Sequence, residues 1–171
     1  MDRGGSGGGR GGPATAAMEA ALDHAAAACA RRGAQLTELR RQVLRLVLEA
    51  GQPIGAYALL DRLRAERRGA APPTVYRALD FLLEQGLIHK VERLNAFVGC
   101  SGIEDHPPDC ACEGAHDHPH QFLICRSCGA TLELTDAAVA RAVAAAASRA
   151  GFTAQRATVE IEGRCAHCAG A

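Results

Sequence analysis

Two pairs of cysteines, Cys125 with Cys128 and Cys165 with Cys168, share the spacing Cys-x2-Cys. This spacing lets both thiolates of a pair bind one metal ion, and two such pairs supply the four sulfur ligands of a tetrahedral zinc site. Residues 129–164 separate the pairs, a longer interval than the roughly 15 to 20 residues of compact zinc ribbons, so the metal would tie an inserted segment into place. Four thiolates leave no open coordination position. We therefore expect a structural zinc site without catalytic chemistry.

The composition is ordinary for a globular chain, with 48% hydrophobic and 22% charged residues. A formal net charge of zero excludes a simple polybasic chain. No apolar run approaches the ~20 residues that cross a bilayer, and the first residues lack the apolar segment of a secretory signal. We expect a cytoplasmic protein, and because thiols stay reduced in that compartment, the eight cysteines favour metal binding over disulfides.

The first half of the chain carries a helical pattern that changes to a strand pattern. Residues 1–16 are rich in Gly and bury too little apolar surface to offset chain entropy, so we expect a disordered tail. Propensity, period and stop signals predict four helices, over residues 18–32, over residues 36–50, from beyond Pro53 to about Arg68, and over residues 73–84. A period of two predicts a hairpin of residues 87–91 and 96–100. Helices followed by a two-stranded wing form a winged helix-turn-helix, which we assign to residues 17–98.

The second half is built differently. Residues 99–119 form a polar loop rich in metal-ligating side chains. Residues 120–171 then predict a hairpin around the first cysteine pair, a helix capped by Asp136 and ending near Arg149, and a last strand over residues 152–163. The predicted fold class is therefore α+β, with an N-terminal winged helix-turn-helix followed by a small α/β domain that carries the four-cysteine zinc site.

The fourth predicted helix has the features of a recognition helix. Its first turn carries Thr74, Tyr76 and Arg77 ahead of an apolar stripe, and the first turn of a recognition helix enters the major groove. Arg77 could contact guanine, while Thr74 and Tyr76 could bind phosphates. Tyr57, in the preceding helix, is a further candidate contact. A helix cap and a solvated face would explain the same residues without DNA, but the order of helices and wing favours DNA.

The chain resembles the ferric uptake regulator family of bacterial metal-responsive repressors, and within it the zinc uptake regulators. The resemblance covers residues 30–168 and is carried by residues 72–79 (PPTVYRAL), by residues 89–92 (HKVE) and by the two cysteine pairs. It implies a homodimer in which the C-terminal domain of each subunit is the dimerisation domain. It also implies two zinc ions in each subunit. One zinc would be structural, on the four cysteines. The other would be regulatory, with ligands that fall by position on His89, Cys100, His118 and Glu133.

This implied ligand set is also chemically sensible. Two neutral imidazoles, one thiolate and one carboxylate would neutralise Zn²⁺ in a tetrahedral site, and the thiolate favours zinc over iron or manganese. Taken one at a time, His89 is also explained as a satisfied core histidine, Cys100 as a small buried residue, and Glu133 as a solvated carboxylate.

The loop before the first cysteine pair offers more donors than one site needs. They are His106, Cys110, Cys112, His116, His118 and His120. His120 could replace His118 or, with His116, belong to an additional metal site. Cys110 and Cys112 are either further metal ligands or bystanders in this loop.

Together these patterns predict a repressor of zinc uptake and homeostasis genes that binds double-stranded DNA at a palindromic operator, with zinc as its corepressor. An iron or peroxide sensor of the same family is one alternative. A zinc storage or metallochaperone protein is another, supported by the donor-rich loop. An enzyme is disfavoured because zinc deaminases place a His-x-Glu triplet upstream of their Cys-x2-Cys, and the chain contains no such triplet.

Overall fold

A computed structural model of the 171-residue chain describes residues 13–67, 69–100, 120–154 and 157–170. Its first helix, α1, spans Pro13–Arg31. The sequence predicts a disordered tail that extends to residue 16, but α1 already begins at Pro13. The reason is local: Pro is well accommodated in the first turn of a helix, and the alanines that follow have high helix propensity.

The next three helices build one core with α1. They are α2 (Glu38–Ala50), α3 (Ala56–Glu66) and α4 (Pro72–Glu84). The helix α2 packs against α1, α3 and α4, and Leu22, Leu44, Leu59, Leu79 and Leu82 are fully buried between them. Apolar residues at helical spacing supply the inward faces of these helices.

The wing follows α4 after a turn at Gly86, whose φ of 67° suits glycine. It consists of β1 (Ile88–Val91) and β2 (Ala96–Gly99), which pair in antiparallel register and are joined by a short 3₁₀ turn at Glu92–Leu94. Backbone bonds between Ile54 and Phe97 attach the wing to the segment before α3. Gly99 lies where β2 approaches α2, and a Cβ there would require the flexible side chain of Leu48 to shift.

The second unit is a three-stranded sheet with strand order β4-β3-β5. Its strands are β3 (His120–Cys125), β4 (Thr131–Leu134) and β5 (Thr158–Gly163), with helices α5 (Ala137–Arg149) and α6 (Ala166–Ala169). The strand β3 pairs antiparallel with β4 and parallel with β5, so α5 forms the crossover connection. The predicted cap is present, since an Asp136 carboxylate oxygen accepts the backbone N–H of Ala138 at 2.6 Å and that of Val139 at 3.3 Å.

The last strand starts later than the pattern predicts. The alternation of residues 152–163 indicates a strand from 152 onwards, but β5 begins at Thr158. Residues 152–154 and 157, which are the described residues of the predicted interval before Thr158, are not in a strand, and the pairing of β5 with β3 starts at His120 opposite Thr158. Side-chain alternation does not show where the neighbouring strand begins.

One face of the sheet packs on the wing. Val91 of the wing is completely buried against Phe122 and Ile124 of β3, with Val98 of β2 at the edge of this small cluster. The apolar contact fixes which wing face meets the sheet. No helix within the described ranges is long and apolar enough to cross a membrane.

Candidate metal centres and nucleic-acid interface

The four cysteines predicted to form the structural site lie together. Cys125 ends β3 and Cys128 lies in the turn that follows, whereas Cys165 precedes α6 and Cys168 lies within it. Their sulfur atoms all lie within 4.8 Å of one another, and Cys128 Sγ is 3.8 Å from Cys165 Sγ. Four sulfurs each about 2.3 Å from a zinc ion, at tetrahedral angles, lie about 3.8 Å apart. The cluster therefore has the size that zinc requires.

Backbone bonds bring the two cysteine pairs together. The N–H of Gly129 donates to the Cys125 carbonyl at 2.9 Å and closes the first turn, where Gly129 has a φ of 75°. The N–H of Arg126 donates to the Gly163 carbonyl at 2.9 Å, which fastens this turn to the end of β5, two residues before Cys165. The strand β5 therefore places the second cysteine pair next to the first.

The pKa values of the Cys125 and Cys168 thiols are shifted in opposite directions. The backbone N–H of Cys165 donates to Cys125 Sγ at 3.3 Å, and this donor, followed by the N–H of Cys128, lowers the pKa of Cys125 to about 5. Hydrogen bonding to Cys128 and then to Cys165 raises the pKa of Cys168 to about 12. Thiolates packed as closely as these four sulfurs repel one another unless a positive charge lies between them. A divalent metal ion supplies that charge.

A second potential metal cluster joins the two units. It consists of His89 in β1, Cys100 just after β2 and Glu133 in β4, whose ligand atoms also lie within 4.8 Å of one another. His89 is 6% and Glu133 12% exposed, and Nε2 of His89 lies 3.4 Å from a carboxylate oxygen of Glu133. Two ligands about 2.1 Å from a zinc ion at a tetrahedral angle are about 3.4 Å apart. The imidazole and carboxylate therefore have the separation of two zinc ligands.

Strand register explains why these three side chains meet. Within the wing, His89 lies opposite Val98, and the N–H of Cys100 donates to the Leu87 carbonyl at 3.1 Å, which extends the ladder by one residue. Alternation then places the side chains of His89 and Cys100 on the same face of the wing. In the sheet, Glu133 lies opposite Phe122, whose ring is 6.1 Å from the His89 ring.

Other predicted metal ligands lie in the loop. His106, Cys110, Cys112, His116 and His118 fall outside the described residues, and so does the remainder of the loop, residues 101–119. His120 is the first residue of β3 and pairs through its backbone with Thr158. Three of the four regulatory ligands that the family resemblance implies, His89, Cys100 and Glu133, therefore lie together. The fourth, predicted at His118, is not described.

The candidate DNA contacts lie at the start of α4 and on α3. Tyr76 is 43% and Tyr57 73% exposed, Arg77 is exposed and Thr74 is half-buried. Val75, Ala78 and Leu79, on the opposite face of α4, are buried in the core. The first two turns of α4 therefore present a hydroxyl, a phenol and a guanidinium to solvent, as an element that enters a DNA groove must.

Some contacts around these sites join residues that the sequence pattern does not connect. Arg40 of α2 stacks its guanidinium over the Phe81 ring of α4 at 3.5 Å from the ring centre. Glu160 and Glu162 of β5 contact the wing turn, and the bond from Arg93 holds the pKa of Glu162 below its ordinary value. Alternation along residues 158–163 shows that the two carboxylates share a face, but it does not show what that face meets.

Comparison with known proteins identifies the family. The family model described as "Ferric uptake regulator family" matches residues 31–162. This chain belongs to the ferric uptake regulator family. Other members that it resembles are zinc uptake regulation proteins: that of Escherichia coli (strain K12) is 42% identical over 140 residues, covering 82% of this chain and 76% of the relative. That of Mycobacterium tuberculosis (strain H37Rv) is 30% identical over 139 residues, covering 80% of this chain and 95% of the relative.

Solved structures of two family members are similar to this structure over most of the chain. The structure described as "Zinc Uptake Regulator Complexed With Zinc AND DNA" has a TM-score of 0.79 at 40% identity and covers 90% of this chain and 95% of its own. The crystal structure of holo XcZur has a TM-score of 0.74 at 44% identity, covering 88% and 97%. The predicted membership of the ferric uptake regulator family is confirmed, as is the α+β class with a winged helix followed by an α/β unit that carries the cysteine cluster. The roles of individual ligands and DNA contacts stay predictions.

Proposed function

We propose that this protein is a zinc-responsive, DNA-binding transcriptional repressor that controls zinc uptake and homeostasis genes, with zinc as its corepressor. The observation that carries the proposal is the cluster of His89, Cys100 and Glu133, which takes two ligands from the wing and one from the sheet. A metal ion held there connects the DNA-binding unit to the second unit. Similarity to zinc uptake regulators, one of them solved with zinc and DNA, supports this function.

The donor set fits zinc better than iron or manganese. A thiolate, an imidazole and a carboxylate suit Zn²⁺, whereas sites for harder ions are built mainly from oxygen. His118 is the proposed fourth ligand, and His116 and His120 are candidates for an additional site. With the four cysteines, this gives two zinc ions per subunit. The cysteine site is structural because its four thiolates complete the coordination of the metal.

The chain's own residues then transmit the state of the regulatory site. The helix α4 ends at Glu84 and β1 begins at Ile88, so the recognition helix and the strand that carries His89 are separated by three residues. The N–H of Leu87 donates to the Leu82 carbonyl at 2.9 Å, which attaches the residue before β1 to the last turn of α4. When the wing is held against the sheet, the orientation of α4 relative to the second unit is held as well. Zinc adds a free energy of coupling between the two sites, typically ~1 to 3 kcal/mol.

We further propose that two subunits pair through the sheet of the second unit, which would space two recognition helices for a palindromic operator. The sheet face turned away from the wing exposes Leu132 (58%) and Ile161 (47%), and nearby in sequence Phe152 is 68% exposed. Leu132 and Ile161 lie on either side of Leu123 in one row across the sheet, and a contiguous exposed apolar surface of this kind marks an interface. In this arrangement residues 17–98 bind DNA, residues 99–119 form a metal-ligand-rich hinge, and residues 120–171 dimerise in the cytoplasm.

Titration of DNA binding with zinc tests the function. The purified protein, with its cysteine site loaded, is incubated with genomic promoter fragments at buffered free zinc concentrations, and protected fragments are identified by footprinting. A repressor with zinc as corepressor protects a defined palindrome more strongly as free zinc rises. Iron or manganese at their own buffered concentrations serve as controls. A protein that transfers zinc to a chelator but protects no fragment would instead be a metallochaperone or storage protein.

A further inference from the structure

One row of residues across the sheet contains both the proposed zinc ligand Glu133 and the carboxylate of Glu160. In this row Phe122 of β3 lies opposite Glu133 of β4 on one side and opposite Glu160 of β5 on the other. Residues that face each other across neighbouring strands point to the same side of the sheet. The three side chains therefore all face the wing.

The wing strand crosses this row from end to end. His89 lies 3.4 Å from Glu133, and Val91 packs against Phe122. At the far end, one Glu160 oxygen accepts the Glu92 N–H at 2.6 Å and the other accepts an N–H at 3.0 Å from the next residue of the turn. The metal cluster and the carboxylate thus hold opposite ends of the same strand.

The dimensions of strand and sheet match. From His89 to Glu92 the strand advances three residues, or about 10 Å at ~3.3 Å per residue. From Glu133 to Glu160 the row spans two strand separations, or about 9.6 Å at ~4.8 Å each. Because the two lengths agree, anchoring the turn at Glu160 determines where His89 lies relative to Glu133.

We propose that Glu160 is a positioning residue for the regulatory zinc site. Its carboxylate binds the wing turn through two charge-assisted hydrogen bonds and so holds His89 and Cys100 at ligand distance from Glu133 before metal binds. This preorganisation raises zinc affinity because less wing motion has to be frozen on binding. The inference rests on the proposed function of the cluster as a zinc site. Glu160 itself is not a ligand.

The neighbouring ion pair provides an internal comparison. Arg93 Nε donates to a Glu162 oxygen at 2.7 Å, also between wing and β5. Its guanidinium is 63% exposed, and exposed ion pairs of this kind contribute little. Glu160 differs because it binds backbone N–H groups of the turn, whose position sets that of the whole strand. The two carboxylates lie on the same strand face, two residues apart, so removal of either one perturbs β5 similarly.

The test compares Glu160→Ala, Glu160→Gln and Glu162→Ala with the parent protein, each with zinc on the four cysteines. Affinity for the second zinc is measured by competition with a chromophoric chelator. We expect Glu160→Ala to weaken it about tenfold, within the range of typical coupling energies. Glu160→Gln, which keeps one acceptor oxygen, should lie between Glu160→Ala and the parent, and Glu162→Ala should change affinity less than about threefold.

Equal zinc affinity in Glu160→Ala and the parent would overturn the proposal, as would equal losses in Glu160→Ala and Glu162→Ala. If Glu160→Ala does not fold, the comparison of Glu160→Gln with Glu162→Gln decides in the same way, and equal affinities overturn the proposal. A parent protein that binds a second zinc but gives no zinc-dependent footprint would contradict the proposed function, while the affinity comparison would still decide the role of Glu160. A parent protein that binds no second zinc would overturn both.

Discussion

Nε2 of His89 lies 3.4 Å from a carboxylate oxygen of Glu133, although one residue belongs to the wing and the other to the sheet of the second unit. Both side chains are almost completely buried, and burial of such groups is costly unless a partner compensates them. Cys100 adds a sulfur to the same cluster. A cation bound there would stabilise the contact between the two units.

Removal of the wing imidazole should abolish the zinc response. In His89→Ala, operator affinity at high free zinc should fall to its value at low free zinc, a loss of roughly 5- to 150-fold for a typical coupling energy. Fluorescence anisotropy with a labelled operator at buffered zinc measures this. His24→Ala is a matched control, because His24 is exposed on α1. A His89→Ala protein that retains the full zinc response would exclude His89 as a sensing ligand.

Loss of one cysteine ligand should damage the second unit as a whole. Structural zinc contributes about 10 to 16 kcal/mol of apparent binding free energy in small zinc domains, so Cys125→Ser should lose the tightly bound zinc and either unfold residues 120–171 or stop dimerisation. Elemental analysis, circular dichroism and sedimentation measure these effects. The exposed neighbour variant Ser127→Ala should behave as the parent. A folded dimeric Cys125→Ser protein that still responds to zinc would show that this site is not structural.

Substitution on the recognition helix should weaken DNA binding without affecting the metal. If Arg77 binds a guanine edge, Arg77→Ala should cost about 1 to 3 kcal/mol in operator affinity and relax the preference at one base pair. Zinc content should remain unchanged. Arg141→Ala removes an exposed arginine from α5, in the other unit, and should leave operator affinity unchanged. Equal operator affinities of Arg77→Ala and the parent protein would exclude this contact.

A charge on the outer sheet face should disrupt the dimer. Leu132 is 58% exposed in the single chain, and a glutamate at this position would be buried without a partner in a dimer formed through this face. Leu132→Glu should therefore sediment as a monomer, whereas Ala65→Glu, on the exposed side of α3, should not change the association state. An unchanged dimer in Leu132→Glu would place the interface on another surface.

Spacing along the chain is sufficient to predict the cysteine cluster, the helical core and one helix cap. The two Cys-x2-Cys pairs predict a four-sulfur cluster because each pair reaches one ion from a single turn, and the structure brings the four sulfurs together. Leucine periods predict the helical core, and Asp136 predicts a capped helix. Two predicted boundaries are wrong. The helix α1 begins at Pro13, before its predicted start, and β5 begins at Thr158, after its predicted start.

Which faces of the two units meet depends on tertiary packing. The sequence shows that His89 and Glu133 each lie on one face of a strand, but their proximity depends on the packing of Val91 against Phe122, between residues distant in the chain. The same packing turns Glu160 toward the wing and leaves Leu132 on the outer face. Alternation assigns side chains to two faces without saying which face is covered, because burial depends on neighbours that the local pattern does not contain.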